Sequence, residues 1–197
     1  MLDSVLFTVA LLKEYEALHA GAVVTPAGVI AITAATGGGK STLLAELLER
    51  GLTLMADDVL ILEPRGAQSP LAHPAPPLMT VPASRTPTLA EPRRAETIAS
   101  IGEEAWIAVP VHSEPVPLRD FVVLNRRPGG ALSLTKIDNP LVALLNSLMK
   151  FPLTSHRERA RFELASSIAS TTGQWRLEAD MDTTPGEIAD TLLAGVL

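Results

Sequence analysis

The sequence predicts an α/β fold, a mixed β-sheet with flanking helices, and two observations carry that expectation. The apolar run Gly28-Val29-Ile30-Ala31-Ile32 passes through a glycine-rich stretch into the helix-forming segment Leu43 to Arg50. Further short β-branched runs then alternate with leucine-spaced segments down the chain.

The stretch Thr33-Ala34-Ala35-Thr36-Gly37-Gly38-Gly39-Lys40-Ser41-Thr42 sits between that strand and that helix. Strand, glycine-rich loop and helix with Gly-Lys-Ser at the junction is the layout of a phosphate-binding P-loop. Glycines let consecutive backbone N–H groups turn inward around an anion, and the helix adds its positive N-terminal end. Residues Ala34 to Thr42 would form the cradle, Lys40 would reach the outer phosphates, and the Ser41 hydroxyl would coordinate Mg²⁺. The usual pattern opens on glycine six residues before the lysine, and here that position is Ala34. A methyl group there restricts the loop's dihedrals without forbidding the cradle. The cofactors this implies are ATP, or another phosphate-donor nucleotide, and Mg²⁺.

Composition bounds the rest. The 197 residues suit one domain over 1–197, in which 64–104 form a proline-rich irregular insertion. Hydrophobic residues at 47% and charged residues at 19% fit a well-filled globular core. A net charge of -6 and a pI near 5.2 argue against non-specific binding to nucleic acid or to anionic membrane. Cysteine is absent, which removes disulfide and thiolate chemistry and fits a reducing, cytoplasmic setting. No apolar run reaches the roughly 18–20 residues of a membrane span. The first charges are Asp3 and Lys13, so the basic start of a signal peptide is missing.

Taken in order, Val5 to Leu12 reads as a strand and Ala17 to Val24 as a second. Thr25-Pro26-Ala27-Gly28 is a turn signal, so the second strand and the loop-bearing strand form a hairpin that brings His19 alongside. Gly51 is a candidate C-cap, and Leu52 to Ala56 is a short strand ending on Asp57 and Asp58. In a right-handed βαβ unit that strand runs parallel to the first, so both acids emerge on the edge that carries the loop. Adjacent residues point in different directions. One acid would bind Mg²⁺ and the other would accept the proton of an attacking hydroxyl.

His19, the loop ending Gly39-Lys40-Ser41, the segment Glu49-Arg50-Gly51-Leu52, and Ala56-Asp57-Asp58 together resemble the kinase domain of HPr kinase/phosphorylase, in order and in spacing, over about residues 17–63. That family phosphorylates a serine of a small carrier protein, on a core like that of phosphoenolpyruvate carboxykinase. The resemblance implies that Asp58 takes the proton from the target serine and that His19 assists. It also implies that Lys40 is the P-loop lysine and Ser41 the magnesium-binding serine, with Asp57 as the acid expected on the metal. The family's later signature, with its second magnesium-binding glutamate, is not found, and Glu91 and Glu96 are the candidate substitutes. The chain looks more like the compact HPr-kinase-like proteins encoded beside peptide-modifying gene clusters, lasso peptides included. The expected activity is therefore a serine kinase acting on a peptide or small protein. Other readings of the same core are a small-molecule kinase or nucleotide hydrolase, and a non-catalytic nucleotide-binding module. The family forms hexamers, which makes a homo-oligomer a further expectation.

In the remainder, Arg85, Arg93 and Arg94 are the basic group of the proline-rich stretch and read first as solvated loop arginines; the alternative is that they hold acceptor phosphates or acidic peptide. His73, between prolines, reads as exposed. Strands are predicted at Ala105 to Val109, Asp120 to Leu124, Ala131 to Ile137 and Gln174 to Glu178. Helices are predicted at Pro140 to Lys150 and Ser155 to Ser170, the latter with Arg157, Arg159 and Arg161 on a solvated face. A closing helix opens on the capping box Thr184-Pro185-Gly186-Glu187 and stops at about Leu193 before Gly195.

Overall fold

The structure is a computed structural model that describes residues 2–87, 95–149 and 155–197. Its main element is a nine-stranded mixed sheet. The centre holds β3 (Gly28–Ala34) and β10 (Val116–Arg126), paired in parallel. On one side of β3 lie β2 (Gly21–Thr25) and then β4 (Thr53–Ala56). On the other side β10 pairs first with β6 (Gln68–His73), beyond which come β5 (Val59–Arg65) and β1 (Glu16–His19), and further along with β12 (Gly173–Ala179). The strand β11 (Ser133–Lys136) closes the β12 edge.

Period-two alternation explains why β3 and β10 are central. Ile30 and Ile32 of β3, with Val122 and Leu124 of β10, enter one core; Val29, Ala31 and Phe121 enter the other. A strand apolar on both sides needs cover on both faces. One face is covered by the helices α2 (Lys40–Glu49) and α5 (Pro185–Val196), through Leu44, Leu47, Ile188 and Leu192. The other is covered by α3 (Leu141–Ser147) and α4 (Ser155–Thr171), through Leu144, Leu164 and Ile168. A second sheet of three strands, in the order β7 (Leu78–Pro82), β9 (Glu104–Ala108), β8 (Glu96–Ile101), sends Met79, Val81, Ala105 and Ile107 into the α2 core.

The Thr25–Gly28 hairpin forms as expected: Thr25 Oγ1 accepts from Ala27 N–H at 3.2 Å and donates to the Gly28 carbonyl at 2.8 Å. At the end of α2, Gly51 takes φ 88° and the amides of Gly51 and Leu52 return to the carbonyls of Leu48 and Leu47. This is the paired C-terminal closure that glycine permits. The capping box of α5 also forms, with Glu187 N–H on Thr184 Oγ1 and Thr184 N–H on Glu187 Oε2. Thr184→Ala is expected to cost about 1 kcal/mol and to lower the melting temperature by roughly 2–4 °C in a thermal scan.

Several expectations need correction. Residues 5–12 are not a strand: they lie in the helix α1 (Leu2–Leu12). A short apolar run has no decisive period; among its described side chains only Ala10 is buried, and Leu12 is exposed. The predicted strand 17–24 is two strands, broken at Ala20, with different partners. The described part of residues 64–104 is not irregular, since β6, β7 and β8 lie in it. Prolines are accommodated by position. Between Glu63↔Leu71 and Arg65↔Gln68 the ladder slips, so Pro64 faces Ser69 and Pro70 across a bulge where no proline must donate. Gly195 does not stop α5 but lies inside it, where a Cβ would stand 2.4 Å from Leu134 Cδ2. It is a close-approach glycine. The described part of the Pro140 to Lys150 helix ends at Ser147.

Candidate functional site

Three parallel strands deliver the candidate residues to one edge of the sheet. Both β3 and β10 run the same way, and β4 joins them in direction because it is antiparallel to β2, which is antiparallel to β3. The predicted parallel relation of β3 and β4 thus holds with a strand inserted between them. The carboxyl ends are Ala34, Ala56 and Arg126. In open α/β sheets this edge is where ligands bind.

From Ala34 the chain enters a tight glycine-rich loop. Gly38 N–H donates to the Ala35 carbonyl at 2.8 Å. A Cβ on Gly38 would stand 2.8 Å from that oxygen and 3.1 Å from the Ala34 methyl, so the loop has no room for a side chain there. Gly39 adopts φ 89° and caps α2 without a side-chain hydrogen bond, and the first turn carries no acid. The first amides of α2 therefore open onto a cleft of about 720 Å³ lined by Ala34, Ala35, Thr36, Gly37, Gly38, Gly39, Lys40, Ser41 and Thr42. Uncapped amides at a helix start carry partial positive charge.

Lys40 lies at the floor of this cleft. Its Nζ donates to Asp57 Oδ1 at 3.3 Å and to Asp58 Oδ1. The two acids have different surroundings: the Asp57 side chain is 5% exposed and that of Asp58 is 47% exposed. The second oxygen of Asp57 accepts the Thr80 N–H of β7 at 3.0 Å. Burial pushes the Asp57 carboxyl above its usual range; the Lys40 charge and the Thr80 N–H pull it back in part.

Asp58 owes its aim to an unusual turn. Val59 N–H returns to the Asp57 carbonyl at 2.8 Å, closing three residues, and Asp58 has φ 64°. Left-handed backbone is uncommon outside glycine and is concentrated at sites where the surroundings over-determine it. Ala20 N–H holds the Asp58 carbonyl at 3.1 Å. The side chain is thereby turned back to Lys40.

His19 also lines the cleft, but not by pairing with β3. It ends β1 opposite Val59, the residue after Asp58, and its carbonyl accepts Thr33 Oγ1–H at 3.1 Å. The far wall is the small sheet, through Leu78, Thr80, Pro82, Glu103, Glu104 and Trp106.

Other candidate residues lie elsewhere. Arg85 binds Glu46 of α2 and so ties the end of β7 to the helix. Arg93, Arg94 and Glu91 lie outside the described residues. Glu96 is exposed on β8 and does not line the cleft. The arginines of α4 do not form one solvated face. Arg157 pairs with buried Glu16 at 2.6 Å and Arg161 donates to the Leu148 carbonyl at 3.2 Å, both away from the cleft; only Arg159 is a surface pair, with Glu163. His73 is half-buried, 2.8 Å from Glu63 Oε2 and against the Tyr15 ring. Arg126 went unread in the sequence, where it precedes a turn. Its guanidinium donates to the carbonyls of Asp180, Met181 and Thr183, and its Nη1 would be 3.3 Å from a Cβ on Gly39. Its only local signal is its place at the end of a strand parallel to β3.

The oxygen donors present suit a hard cation. The Ser41 hydroxyl and the Asp57 carboxylate face the same cleft, and no described group of three or more acidic or histidine side chains forms a metal cage. Mg²⁺ held by one or two protein oxygens and completed by phosphate and water matches that donor set.

No protein-family profile matches the chain, and no curated protein matches it in sequence. Among solved structures, it is similar to the Hpr(Ser) kinase/phosphatase from Coxiella burnetii, at 14% identity and a TM-score of 0.45, over 91% of this chain and 95% of that one. No helix among the described residues is long and apolar enough to cross a membrane.

Proposed function

We propose that the chain is an ATP-dependent kinase that transfers the γ-phosphoryl group to a serine hydroxyl of a peptide or small protein. The observation that supports this best is the meeting of Lys40 with Asp57 and Asp58 below an uncapped helix start. A P-loop needs the first and last of these, and phosphoryl transfer to a hydroxyl needs an acid beside them.

In this reading the loop amides and Lys40 bind the triphosphate. Lys40 exchanges its bond to Asp58 for one to the phosphate oxygens, which frees the Asp58 carboxylate for the acceptor. Asp58 accepts the proton of the serine Oγ as that oxygen attacks the γ-phosphorus. The bond from the γ-phosphorus to the bridging oxygen breaks, giving phosphoserine and ADP. His19, at the rim beside Asp58, orients the acceptor. Mg²⁺, held by Ser41 and Asp57, supplies charge neutralisation at the phosphates when bound.

The test is incorporation of label from γ-labelled ATP into serine-containing peptides, with phosphoserine identified by mass spectrometry. ATP bound without transfer to any hydroxyl acceptor overturns the kinase reading. Gly38→Ala supplies a check on the cradle. Its Cβ would press on the Ala35 carbonyl, so it should cost about 1–3 kcal/mol of stability and lower ATP affinity at least about tenfold by calorimetry.

A further inference from the structure

The small sheet covers the α2 core with one face, and no described element covers the other. Directly opposed residues share a face. The rows Thr80–Trp106–Ala99 and Pro82–Glu104–Ile101 therefore lie side by side on the open face. Trp106 is 40% exposed and Ile101 is 68% exposed, with no described element over them. The row begins at Thr80, whose amide holds Asp57, and the face forms the cleft wall opposite the glycine-rich loop.

This wall is acidic. Glu103 and Glu104 line it, Glu96 stands on the neighbouring strand, and none of the three makes an ion pair among the described residues. Among the described residues the only lysine or arginine lining the cleft is Lys40, already matched by two aspartates. A triphosphate is repelled by such a surface and retained by the loop across from it. A cation on an extended chain is attracted, and an indole face adds a cation–π contact.

We propose that this open face, centred on Trp106, is the docking wall for the acceptor, and that the segment it takes is an extended peptide carrying Lys or Arg close to the target hydroxyl. The inference rests on the kinase reading for the hydroxyl's position and on the wall's own charge for the peptide's. One cross-strand step of about 5 Å separates Thr80, whose amide holds Asp57, from Trp106. An extended chain covers about 3.3 Å per residue, so the basic residue falls about two positions from the serine.

The experiment measures binding without turnover. Two fluorescein-labelled serine peptides, one with Lys and Arg around the serine and one with Glu in their place, are titrated with the full chain and read by anisotropy. The basic peptide should bind at least about tenfold more tightly, and that preference should fall below about twofold in the Glu103→Gln/Glu104→Gln variant. Trp106→Ala should weaken the basic peptide about fivefold, with the change absent from the ATP dissociation constant measured by calorimetry. Equal binding of the two peptides, or a preference that survives in the Gln variant, overturns the proposal. Trp106→Ala that weakens ATP tenfold and spares the peptide overturns it too, and makes the indole a nucleobase seat. Failure of the kinase reading shows separately, as ATP binding that does not depend on Lys40.

Discussion

Lys40→Ala is expected to lose about 10- to 100-fold in ATP affinity, the value of one or two charge-assisted hydrogen bonds. Calorimetric titration with Mg·ATP checks this. The same change acts on the fold, because the Lys40 charge, with the Thr80 N–H, lowers the buried Asp57 carboxyl towards its ordinary range. Without it the Asp57 pKa rises further above the unfolded value. A carboxyl raised in the folded state contributes stability that is complete below the unfolded pKa and lost as pH rises through the folded pKa. The Lys40→Ala chain should therefore be destabilised more at pH 8 than at pH 5, by up to about 3 kcal/mol at the higher pH. Urea titrations at the two pH values measure the difference. A loss that is flat across this range would mean that Asp57 stays ionised by other means.

Asp58→Asn is expected to slow phosphoryl transfer by about 10²- to 10⁴-fold, the range of a removed general base. Its side effects should be small. Asn adopts left-handed backbone readily, so the turn at φ 64° survives. ATP affinity should hold or rise, since Lys40 loses a competing partner. Single-turnover kinetics together with calorimetry separate the two effects. Transfer at the unsubstituted rate would remove Asp58 from the role of base.

What the sequence revealed follows the range of the forces involved. The glycine-rich loop, the Thr25–Gly28 turn, the Gly51 closure and the Thr184 capping box are set by neighbours within a few residues, and all were legible. Asp57 and Asp58 were placed correctly at a strand end, because one topological rule fixes the direction of β4. Of the small sheet only β9 was legible, as the run Ala105 to Val109; β7 ends on Pro82 and reaches β9 across about 25 residues of chain, and β8 is exposed along its whole length, so it has no buried face to read. Residues 5–12 were misread because an apolar run without a period is decided by what it packs on. His19 reached the cleft through β5, and Arg126 stands at the loop through a pairing that only the folded sheet reveals. The buried roles of Arg157 and Arg161 depend likewise on Glu16 and on a distant carbonyl.

The Thr80 amide on Asp57 puts the two walls of the cleft in thermodynamic contact. On the proposed reading, a carboxylate gripped from one side by the small sheet and from the other by Lys40 would feel both occupants. Whatever free energy a nucleotide adds to a guest on the opposite strand, that guest must return to the nucleotide in equal measure.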